Sequence, residues 1–425
     1  MMIFSGARSR RQLAWATMAF VWAAMLVLAY PSTLIGDEWV HWHQIHRFQQ
    51  GDYRIYAEYL TNVPGYHWMV TGLLWPFGAE SLAASRVVTA LFTAWAAVLV
   101  YQIRHLICPE DALRTTLLFF FLPPMFVYGF LAYTDIPALA FLLAALLATL
   151  KGRHGCSALA LLASMAMRQN NVLWVVFLAV YAAWPQLQSL AAAWRKGRDN
   201  EAFHRFAQVR AILALVWPYL AVFAVFCAYW AINGSIAYSK TQSKNLHPDF
   251  HPDPGNPILL FALAGTLLVL PLAVAVRRML SDNPGWHGVW RALIPLLAFA
   301  VFAWTFTVQH PSNFAVDDNV RNQALQAIAR GGWAWWAFLA IAAWGLAGLV
   351  FTRYITTPGW LWLPFSIVFV AASWMIETRY VIVPLTLFLV FRRVESRTAE
   401  GVSLAGWMVL SLWLALQVFD HRFMI

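Results

Sequence analysis

Long apolar runs recur along the whole chain, and they restrict its fold more than any other feature of the sequence. A membrane-spanning helix needs about 20 mostly apolar residues to cross a hydrocarbon core of roughly 30 Å. Of the 425 residues, 61% are hydrophobic and 11% are charged, whereas soluble domains contain roughly 25% charged residues. The sequence therefore predicts an all-α, polytopic membrane protein that forms a single domain over residues 1–425.

The apolar runs predict about thirteen spans, with twelve to fourteen as the range because one run is interrupted. Starting with the N-terminus inside, the inner connections contain 19 of the 29 Lys and Arg residues and the outer ones contain 10, as the positive-inside rule requires. The basic residues form no single patch, so we expect no nucleic-acid partner. The predicted spans cover residues 12–30, 81–103, 112–132, 135–150, 155–167, 172–185, 211–232, 257–276, 291–309, 333–352, 359–375, 379–391 and 403–419.

The run from 155 to 185 is interrupted by the polar tetrapeptide Arg168-Gln169-Asn170-Asn171. Two short helices of 13 and 14 residues, 155–167 and 172–185, would keep the basic segment 186–210 inside, whereas one long span would place it outside, against the rule. Two helices are therefore predicted, with their turn below the outer surface. Polar backbone at that depth must line a cavity or be buried in protein.

Titratable residues are concentrated in the first outer loop, 31–80, which begins where the first span ends. Short interfacial helices are predicted over 37–49 and 65–76, because both segments are rich in Trp, Tyr and His. Asp37 or Glu38 could act as a general base, or both could be helix N-terminal charges that the macrodipole stabilises. Glu38 and His41 also form an E-x-x-H pair of the kind found in metal sites, but no second pair accompanies it and we assign no metal.

Two arginines on the predicted outer side suit a phosphate group. Arg168 lies at membrane depth, where an arginine is costly and marks a partner or a site, and its planar fork matches phosphate. The alternative is a structural ion pair with Asp135 or Glu38. Arg379 has the same two interpretations, although an ion pair with Glu377 at i, i+2 is not expected within a helix.

Six short motifs follow one another on the predicted outer face. In this order they resemble the dolichyl-phosphate-glucose-dependent alpha-1,2-glucosyltransferases, a family within the GT-C superfamily of membrane glycosyltransferases. A Gly-Asp-Lys element of that family is represented only by Ser239 and Lys240, and its D-N-R-H-Y element only by Asp318, Asn319 and Arg321. The six motifs are D-E-x-x-H-x-x-Q at Asp37, Glu38, His41 and Gln44; T-x-x-P-G at Thr61, Pro64 and Gly65; Y-T-D at Tyr133, Thr134 and Asp135; R-Q-x-N-x-x-W at Arg168, Gln169, Asn171 and Trp174; N-G-S-I from Asn233 to Ile236; and E-x-R-Y at Glu377, Arg379 and Tyr380.

The resemblance implies a GT-C type fold and transfer of a hexose, glucose by analogy, from a polyprenyl-phosphate sugar to a hydroxyl of a membrane-linked glycan, with inversion and without a cofactor. It implies that Asp37 is the base. Glu38 is the second catalytic candidate, as a residue that could orient Asp37. The donor phosphate would be bound by Arg168, Arg379, Lys240 and Tyr380. Sugars would be positioned by His41, Gln44, Tyr133, Asp135, Asp318 and Arg321.

Short loops and an Ala-, Trp- and Arg-rich composition indicate a bacterial relative with an undecaprenyl carrier, in the inner membrane with its site on the periplasmic face. A eukaryotic protein would use a dolichyl carrier at the lumenal face of the endoplasmic reticulum. Two other functions fit the topology: a lipid-linked oligosaccharide transporter, and a polymerase or ligase with lipid-diphosphate donors. A transporter would carry ionisable groups along a central path, whereas here nearly all lie at span ends.

Overall fold

The protein is helical throughout the part of the chain that the computed structural model describes, which is residues 3–55, 60–196, 202–238, 251–283, 286–314 and 323–422. One isolated bridge, between Tyr354 and Arg392, is the β-type pairing in these ranges. The predicted all-α class is confirmed. The α-helices of the described ranges are α1 (Ile3–Ala29), α2 (Glu38–Gln49), α3 (Gly65–Leu74), α4 (Leu82–Ile107), α5 (Ala112–Phe120), α6 (Pro123–Tyr128), α7 (Asp135–Leu150), α8 (His154–Met167), α9 (Val172–Lys196), α10 (Ala202–Asn233), α11 (Gly255–Leu267), α12 (Val269–Asp282), α13 (Trp286–Thr305), α14 (Gln323–Ala329), α15 (Trp333–Phe351), α16 (Trp362–Ala371), α17 (Ile382–Phe391) and α18 (Arg397–Phe419).

Six of the described helices are long and apolar enough to cross a membrane, or seven spans if the bent pair α11 and α12 counts as one. Each of the predicted apolar segments coincides with a helix or with consecutive helices. Large apolar side chains point outward, and Trp304 is 86% exposed and Ile232 is 85% exposed, as expected for helices surrounded by lipid. The chain is a polytopic helical membrane protein, and the number thirteen stays a prediction.

The break predicted at Arg168 is present, but the helix after it is longer than predicted. Arg168 is extended, with φ −144° and ψ 107°, and a 3₁₀ turn (Gln169–Asn171) leads into α9. The prediction that this second helix ends at residue 185 is wrong, because α9 continues through Pro185 to Lys196. A proline inside a helix removes one hydrogen bond, and the Leu-, Ala- and Gln-rich residues that follow it favour helix.

Helix α18 supplies a hydrogen bond at the bend between α11 and α12. Helices α11 and α12 meet at 91°. Pro271 has no N–H with which to bond the carbonyl of Leu267, four residues earlier. The indole Nε1 of Trp407 on α18 donates to that carbonyl at 2.8 Å. The bend is therefore held by a contact between helices that lie far apart in sequence.

Two fully buried arginines mark the two ends of α4. Arg86 and Arg104 are 18 residues apart, or about 27 Å along a helix, close to the thickness of a hydrocarbon core. At the Arg104 end, Nη1 donates to the carbonyls of Val390 at 2.9 Å and Arg392 at 3.0 Å, and Arg392 forms an ion pair with Glu400. Arg104 and Arg392 both belong to connections that the sequence predicts to be on the inner side of the membrane. The first outer loop lies at the Arg86 end.

Helices α2 and α3 confirm the short helices predicted in the first loop. They pack together through an apolar cluster that includes Ile45, Tyr66 and Val70. A 3₁₀ helix (Trp75–Phe77) follows α3 and leads toward α4. Their position at the membrane interface stays a prediction.

Candidate active site

Asp37 lies at the start of α2 with its carboxylate partly open. Its side chain is 21% exposed, and Oδ2 lies 2.9 Å from Nη2 of Arg379. Its backbone N–H donates to the hydroxyl of Tyr133 at 2.7 Å. The side chain makes no capping hydrogen bond to its own helix, although Asp37 stands at the N-cap position. The carboxylate of Asp37 is therefore partly accessible from outside the protein.

Glu38 is buried and makes several hydrogen bonds. It is 0% exposed. Oε1 accepts from Nε of Arg86 at 2.9 Å and from the N–H of Ala132 at 2.6 Å. Oε2 accepts from Nη2 of Arg86 at 2.5 Å and from the N–H of Ile35 at 3.0 Å. Both oxygens are thus engaged by the protein, and Glu38 anchors the loop.

Arg86, which the sequence analysis did not select, is the centre of that anchor. Besides Glu38, it donates to the carbonyls of Ala29, Ser32 and Thr33 at 2.6, 2.9 and 2.7 Å, and to the hydroxyl of Ser32 at 2.7 Å. It therefore ties the end of α1 to the start of α2. An arginine in the first turns of an apolar helix was the available signal, because such a charge needs partners.

Arg168 forms the ion pair with Asp135 that was its structural alternative. Both residues are buried. The second oxygen of Asp135, Oδ2, is buried and has no hydrogen-bond partner among the described residues. The guanidinium of Arg168 also lies 5.5 Å from the centroid of the Tyr380 ring. Arg168 is thus paired and close to the other predicted phosphate-binding residues.

Arg379 joins the first loop to the segment before α17. Its Nε lies 2.7 Å from Oε2 of Glu377, so the expectation that this i, i+2 pair would not form is wrong. Glu377 is extended, with φ −150° and ψ 137°, and precedes the 3₁₀ helix (Thr378–Val381) that contains Arg379. The guanidinium also lies 5.5 Å from the ring centroids of Tyr133 and Tyr380.

The predicted sugar-positioning residues have different surroundings. His41 is buried, and its Nδ1 lies 3.1 Å from Nε2 of His67 on α3. Burial lowers the pKa of His41 well below its usual value, and His67, Arg379 and Arg168 lower it further. Gln44 is buried, and its side-chain amide donates to the carbonyl of Arg54 at 3.2 Å, within the loop backbone. Two further sugar-positioning candidates, Asp318 and Arg321, lie outside the described residues, as does the phosphate-binding candidate Lys240.

The two residues of the E-x-x-H pair contact different side chains. Glu38 is bound to Arg86 and His41 to His67. In the described ranges, one group of three ligand-type residues lies close enough to hold an ion: Cys108, Glu110 and Asp111. That group lies at the Arg104 end of α4, away from Asp37.

Amide side chains fix the segments around the site, and two of them were missed by the sequence analysis. Asn256 donates to the carbonyls of Ser373 and Met375 at 2.7 and 2.8 Å. Asn313 donates to the carbonyl of Ile376 at 2.8 Å and accepts from its N–H at 3.1 Å. Both hold the non-helical segment before Glu377. A buried asparagine that bonds backbone leaves no periodic signal in a sequence.

The turn after Arg168 has a similar supporting role. The side chain of Gln169 donates to the carbonyls of Thr61 and Ile236 at 2.8 and 3.1 Å, and it accepts from the N–H of Val63 at 3.3 Å. Gln169 is buried. The predicted burial of this polar turn is confirmed, and the turn connects three of the six motifs.

Comparison with known proteins gives one family. A profile of the DIE2/ALG10 family matches residues 31–390. A human protein named Dol-P-Glc:Glc(2)Man(9)GlcNAc(2)-PP-Dol alpha-1,2-glucosyltransferase is 25% identical over 321 residues, 64% of this chain and 65% of the relative. A second human protein of that name is 26% identical over 245 residues, 49% and 52% of the two chains. An Arabidopsis thaliana protein of that name is 28% identical over 162 residues, 34% and 32%.

The matched region thus spans less than two thirds of each of these relatives. No solved structure matches the chain. The family profile covers most of the 425 residues, from the first outer loop to α17. The chain belongs to the DIE2/ALG10 family.

Proposed function

We propose that the protein is a membrane glycosyltransferase that moves glucose from a polyprenyl-phosphate donor to a hydroxyl of a membrane-linked glycan. Relatives named as Dol-P-Glc-dependent alpha-1,2-glucosyltransferases support the reaction class and the kind of donor. The carrier would be undecaprenyl phosphate in a bacterium, with the site on the periplasmic face. It would be dolichyl phosphate in a eukaryote, with the site facing the lumen of the endoplasmic reticulum.

One structural observation carries this proposal. Asp37 contacts Arg379 at 2.9 Å, and Arg379 and Arg168 each lie 5.5 Å from the ring of Tyr380. The partly exposed carboxylate of Asp37 therefore lies close to the guanidinium groups of Arg379 and Arg168. Transfer from a sugar phosphate needs both, because a proton must leave the acceptor and a charged phosphate must leave the donor.

The reaction follows as a single displacement. Asp37 takes the proton of the acceptor hydroxyl, whose oxygen forms a bond to the anomeric carbon of the donor. The bond from that carbon to the phosphate oxygen breaks, and its electron pair leaves with the polyprenyl phosphate. Arg168 and Arg379 stabilise the negative charge of the leaving phosphate. Attack from the face opposite the leaving group inverts the anomeric centre.

The test is turnover by the purified protein in detergent. Polyprenyl-phosphate glucose and polyprenyl-phosphate mannose are each supplied with a lipid-linked glycan acceptor and no nucleotide sugar, and the product is analysed for linkage and anomeric configuration. We expect transfer of glucose with inversion, and none by Asp37→Asn. A lipid-diphosphate sugar is supplied in a parallel reaction, and transfer from that donor alone would overturn the proposal in favour of the polymerase or ligase. Flipping of the acceptor by the protein in reconstituted vesicles, without transfer from any donor, would overturn it in favour of the transporter.

A further inference from the structure

Arg379 is shared by two carboxylates, one at the start of α2 and one two residues before Arg379 itself. Nη2 of Arg379 lies 2.9 Å from Oδ2 of Asp37, and Nε lies 2.7 Å from Oε2 of Glu377. The carboxylate assigned above as the base is therefore bonded to a cation assigned above to the donor phosphate. A carboxylate in such a pair is a weaker base than one without an arginine, because the arginine stabilises its charged form.

The charges in this ion-pair network do not favour the arrival of another anion. Among the described residues, Arg168 pairs with Asp135, and Arg379 pairs with both Asp37 and Glu377. Two guanidinium groups thus face three carboxylates, so negative charge is in excess before any substrate binds. The donor is a phosphodiester and adds a further negative charge. Like charges held together away from water are unfavourable, so the phosphate binds best when one carboxylate leaves its cation.

Asp37 is the carboxylate best placed to leave. Its side chain is 21% exposed, whereas those of Asp135 and Glu377 are 7% and 11% exposed. Glu377 is also fixed at its backbone, since its N–H donates to Oδ1 of the fully buried Asn256 at 3.0 Å. Rotation of the Asp37 side chain separates its carboxylate from the cation without moving the backbone, whose N–H stays bonded to the hydroxyl of Tyr133.

The guanidinium of Arg379 is held in place by contacts other than Asp37. Nε is bonded to Glu377, and the central guanidinium carbon lies 5.5 Å from the ring centroids of Tyr133 and Tyr380. The guanidinium carbon of Arg168 lies at the same distance from the Tyr380 ring. Arg379 therefore keeps its position when Asp37 turns away, and its Nη2 becomes available to a phosphate oxygen.

We propose that Arg379 exchanges partners when the donor binds: it holds Asp37 beforehand, and the donor phosphate then takes its Nη2 and releases Asp37 to act as the base. The proposal rests on the function proposed above. Asp37 thus becomes an effective base only after the donor has bound. The exchange also suits the reaction, because the acceptor proton neutralises Asp37 while the departing phosphate gains a negative charge. The alternative is a permanent ion pair that only joins the first loop to the segment before α17.

Donor binding measured without turnover separates these two roles. Polyprenyl-phosphate glucose is titrated into the purified full-length protein in detergent, with no acceptor present. We expect Asp37→Asn to bind this donor about tenfold more tightly than wild type, the lower end for one hydrogen bond to a charged group. Asp52→Asn, which changes an ion-paired aspartate of the same loop, should bind it as wild type does. Unchanged or weaker binding by a folded Asp37→Asn protein would mean that the ion pair is permanent.

A double-mutant cycle identifies any effect of Asp37 that does not involve Arg379. Asp37→Asn is combined with Arg379→Gln, and donor binding is measured for both single variants and for the double variant. Arg379→Gln should weaken binding, and Asp37→Asn should give no gain in that background. A gain of the same size without Arg379 would assign it to general repulsion between Asp37 and the phosphate, and would overturn the exchange. Thermal unfolding of each variant is measured on the same preparation, so that loss of fold is recognised.

An infrared measurement tests the exchange without a variant of Arg379. In ¹³C-aspartate-labelled protein, the carboxylate band of Asp37 is identified by its absence in Asp37→Asn. We expect polyprenyl-phosphate glucose to shift this band, because the carboxylate loses its ion pair. A band that stays unchanged when the donor binds would overturn the proposal even if Arg379→Gln does not fold. Absence of donor binding and of glucose transfer by the wild-type protein would instead contradict the proposed function, so the two failures are distinct.

Discussion

Two neighbouring carboxylates at the start of α2 have opposite surroundings. Glu38 is enclosed by Arg86 and two backbone N–H groups, whereas the side chain of Asp37 is 21% exposed and shares Arg379 with Glu377. A general base must reach the proton that it removes. The geometry therefore favours Asp37 over Glu38 as the residue that meets the substrate.

Asp37→Asn should give a folded protein with almost no turnover. Asparagine keeps the shape of the side chain but cannot take a proton, and loss of a general base costs about 10² to 10⁴ in rate. Donor binding should persist and is measured on the same preparation as turnover. Turnover within about tenfold of wild type, less than the loss expected for a base, would exclude Asp37 from that role.

Glu38→Gln should fail in a different way. It leaves Arg86 buried without its charged partner, and breaking a buried ion pair costs roughly 3 to 5 kcal/mol. The expected result is a lower unfolding temperature and a lower yield of folded protein. Glu80→Gln changes an exposed carboxylate and should leave both unchanged. A stable Glu38→Gln protein that lacks turnover would mean that the roles of the two carboxylates are exchanged.

Arg168→Lys should impair use of the donor while the fold survives. Lysine keeps the charge and its attraction to Asp135 but loses the planar fork that binds phosphate at two points. The expected change is a higher KM for the polyprenyl-phosphate donor, and Arg168→Ala should be worse. Arg153→Lys, at an exposed position, is the matched control. If the Arg168→Lys protein is well folded and its donor kinetics are normal, Arg168 has only a structural role.

Sequence patterns could identify Asp37, Arg168 and Arg379, because charges at the ends of apolar runs are conspicuous. Sequence patterns could not assign the roles of Asp37 and Glu38, because Arg86, which forms the ion pair with Glu38, lies 48 residues away in the sequence. Arg86 and His67 were missed for the same reason. Their importance comes from contacts between helices, which the order of residues in one helix does not reveal.

At the scale of elements, the contact between α3 and α8 depends on a glycine. A Cβ atom on Gly65 would lie 2.3 Å from the carbonyl oxygen of Ala166. The start of α3 therefore approaches the backbone of α8 just before Arg168. Nothing lies within 4 Å of the position where Gly72, on the same helix, would carry a Cβ.

Gly65→Ala should lower both stability and turnover, because the backbone of α8 must move to admit the methyl group. Overpacking of this kind typically costs about 1 to 3 kcal/mol. Gly72→Ala, in open space, should raise stability slightly, by about 0.4 to 1 kcal/mol. Thermal unfolding and donor turnover of the two variants, compared side by side, measure the difference. Equal behaviour of both variants would contradict the close contact.

The positions of the helices were predictable from apolar runs, but their ends and angles were not. Pro185 suggested an end that α9 does not have, because the residues after it restore helical bonding. Pro271 is a recognisable helix breaker, yet the 91° angle at Leu268 depends on an indole from α18. Local composition limits where a helix can bend. Distant partners determine whether it does.

At the scale of the whole molecule, the orientation in the membrane rests on the distribution of Lys and Arg. The predicted arrangement places the first loop outside and the basic stretch after α9 inside. The two buried clusters at the ends of α4 fit such a division, because Arg86 and Arg104 are about 27 Å apart along the helix.

Cysteine labelling tests this orientation directly. Cys156 and Cys227 are exposed and are first replaced by serine. With an impermeant reagent added from outside, Gln50→Cys should react and Arg195→Cys should react only after the membrane is opened. The opposite pattern at Arg195→Cys would contradict the predicted arrangement of α8 and α9 in the membrane.

The bonds between Arg86 and Glu38 also have a consequence for biosynthesis. Glu38 leaves the ribosome before Arg86 exists, and the N–H of Ala132, which bonds the same carboxylate, follows 94 residues after Glu38. A charged side chain without partners is unfavourable in a bilayer, so Glu38 must stay in contact with water until α4 has been inserted. The loop that carries Asp37 therefore matures late, although it is among the first parts to be translated. The order of translation and the order of assembly therefore differ at the candidate active site.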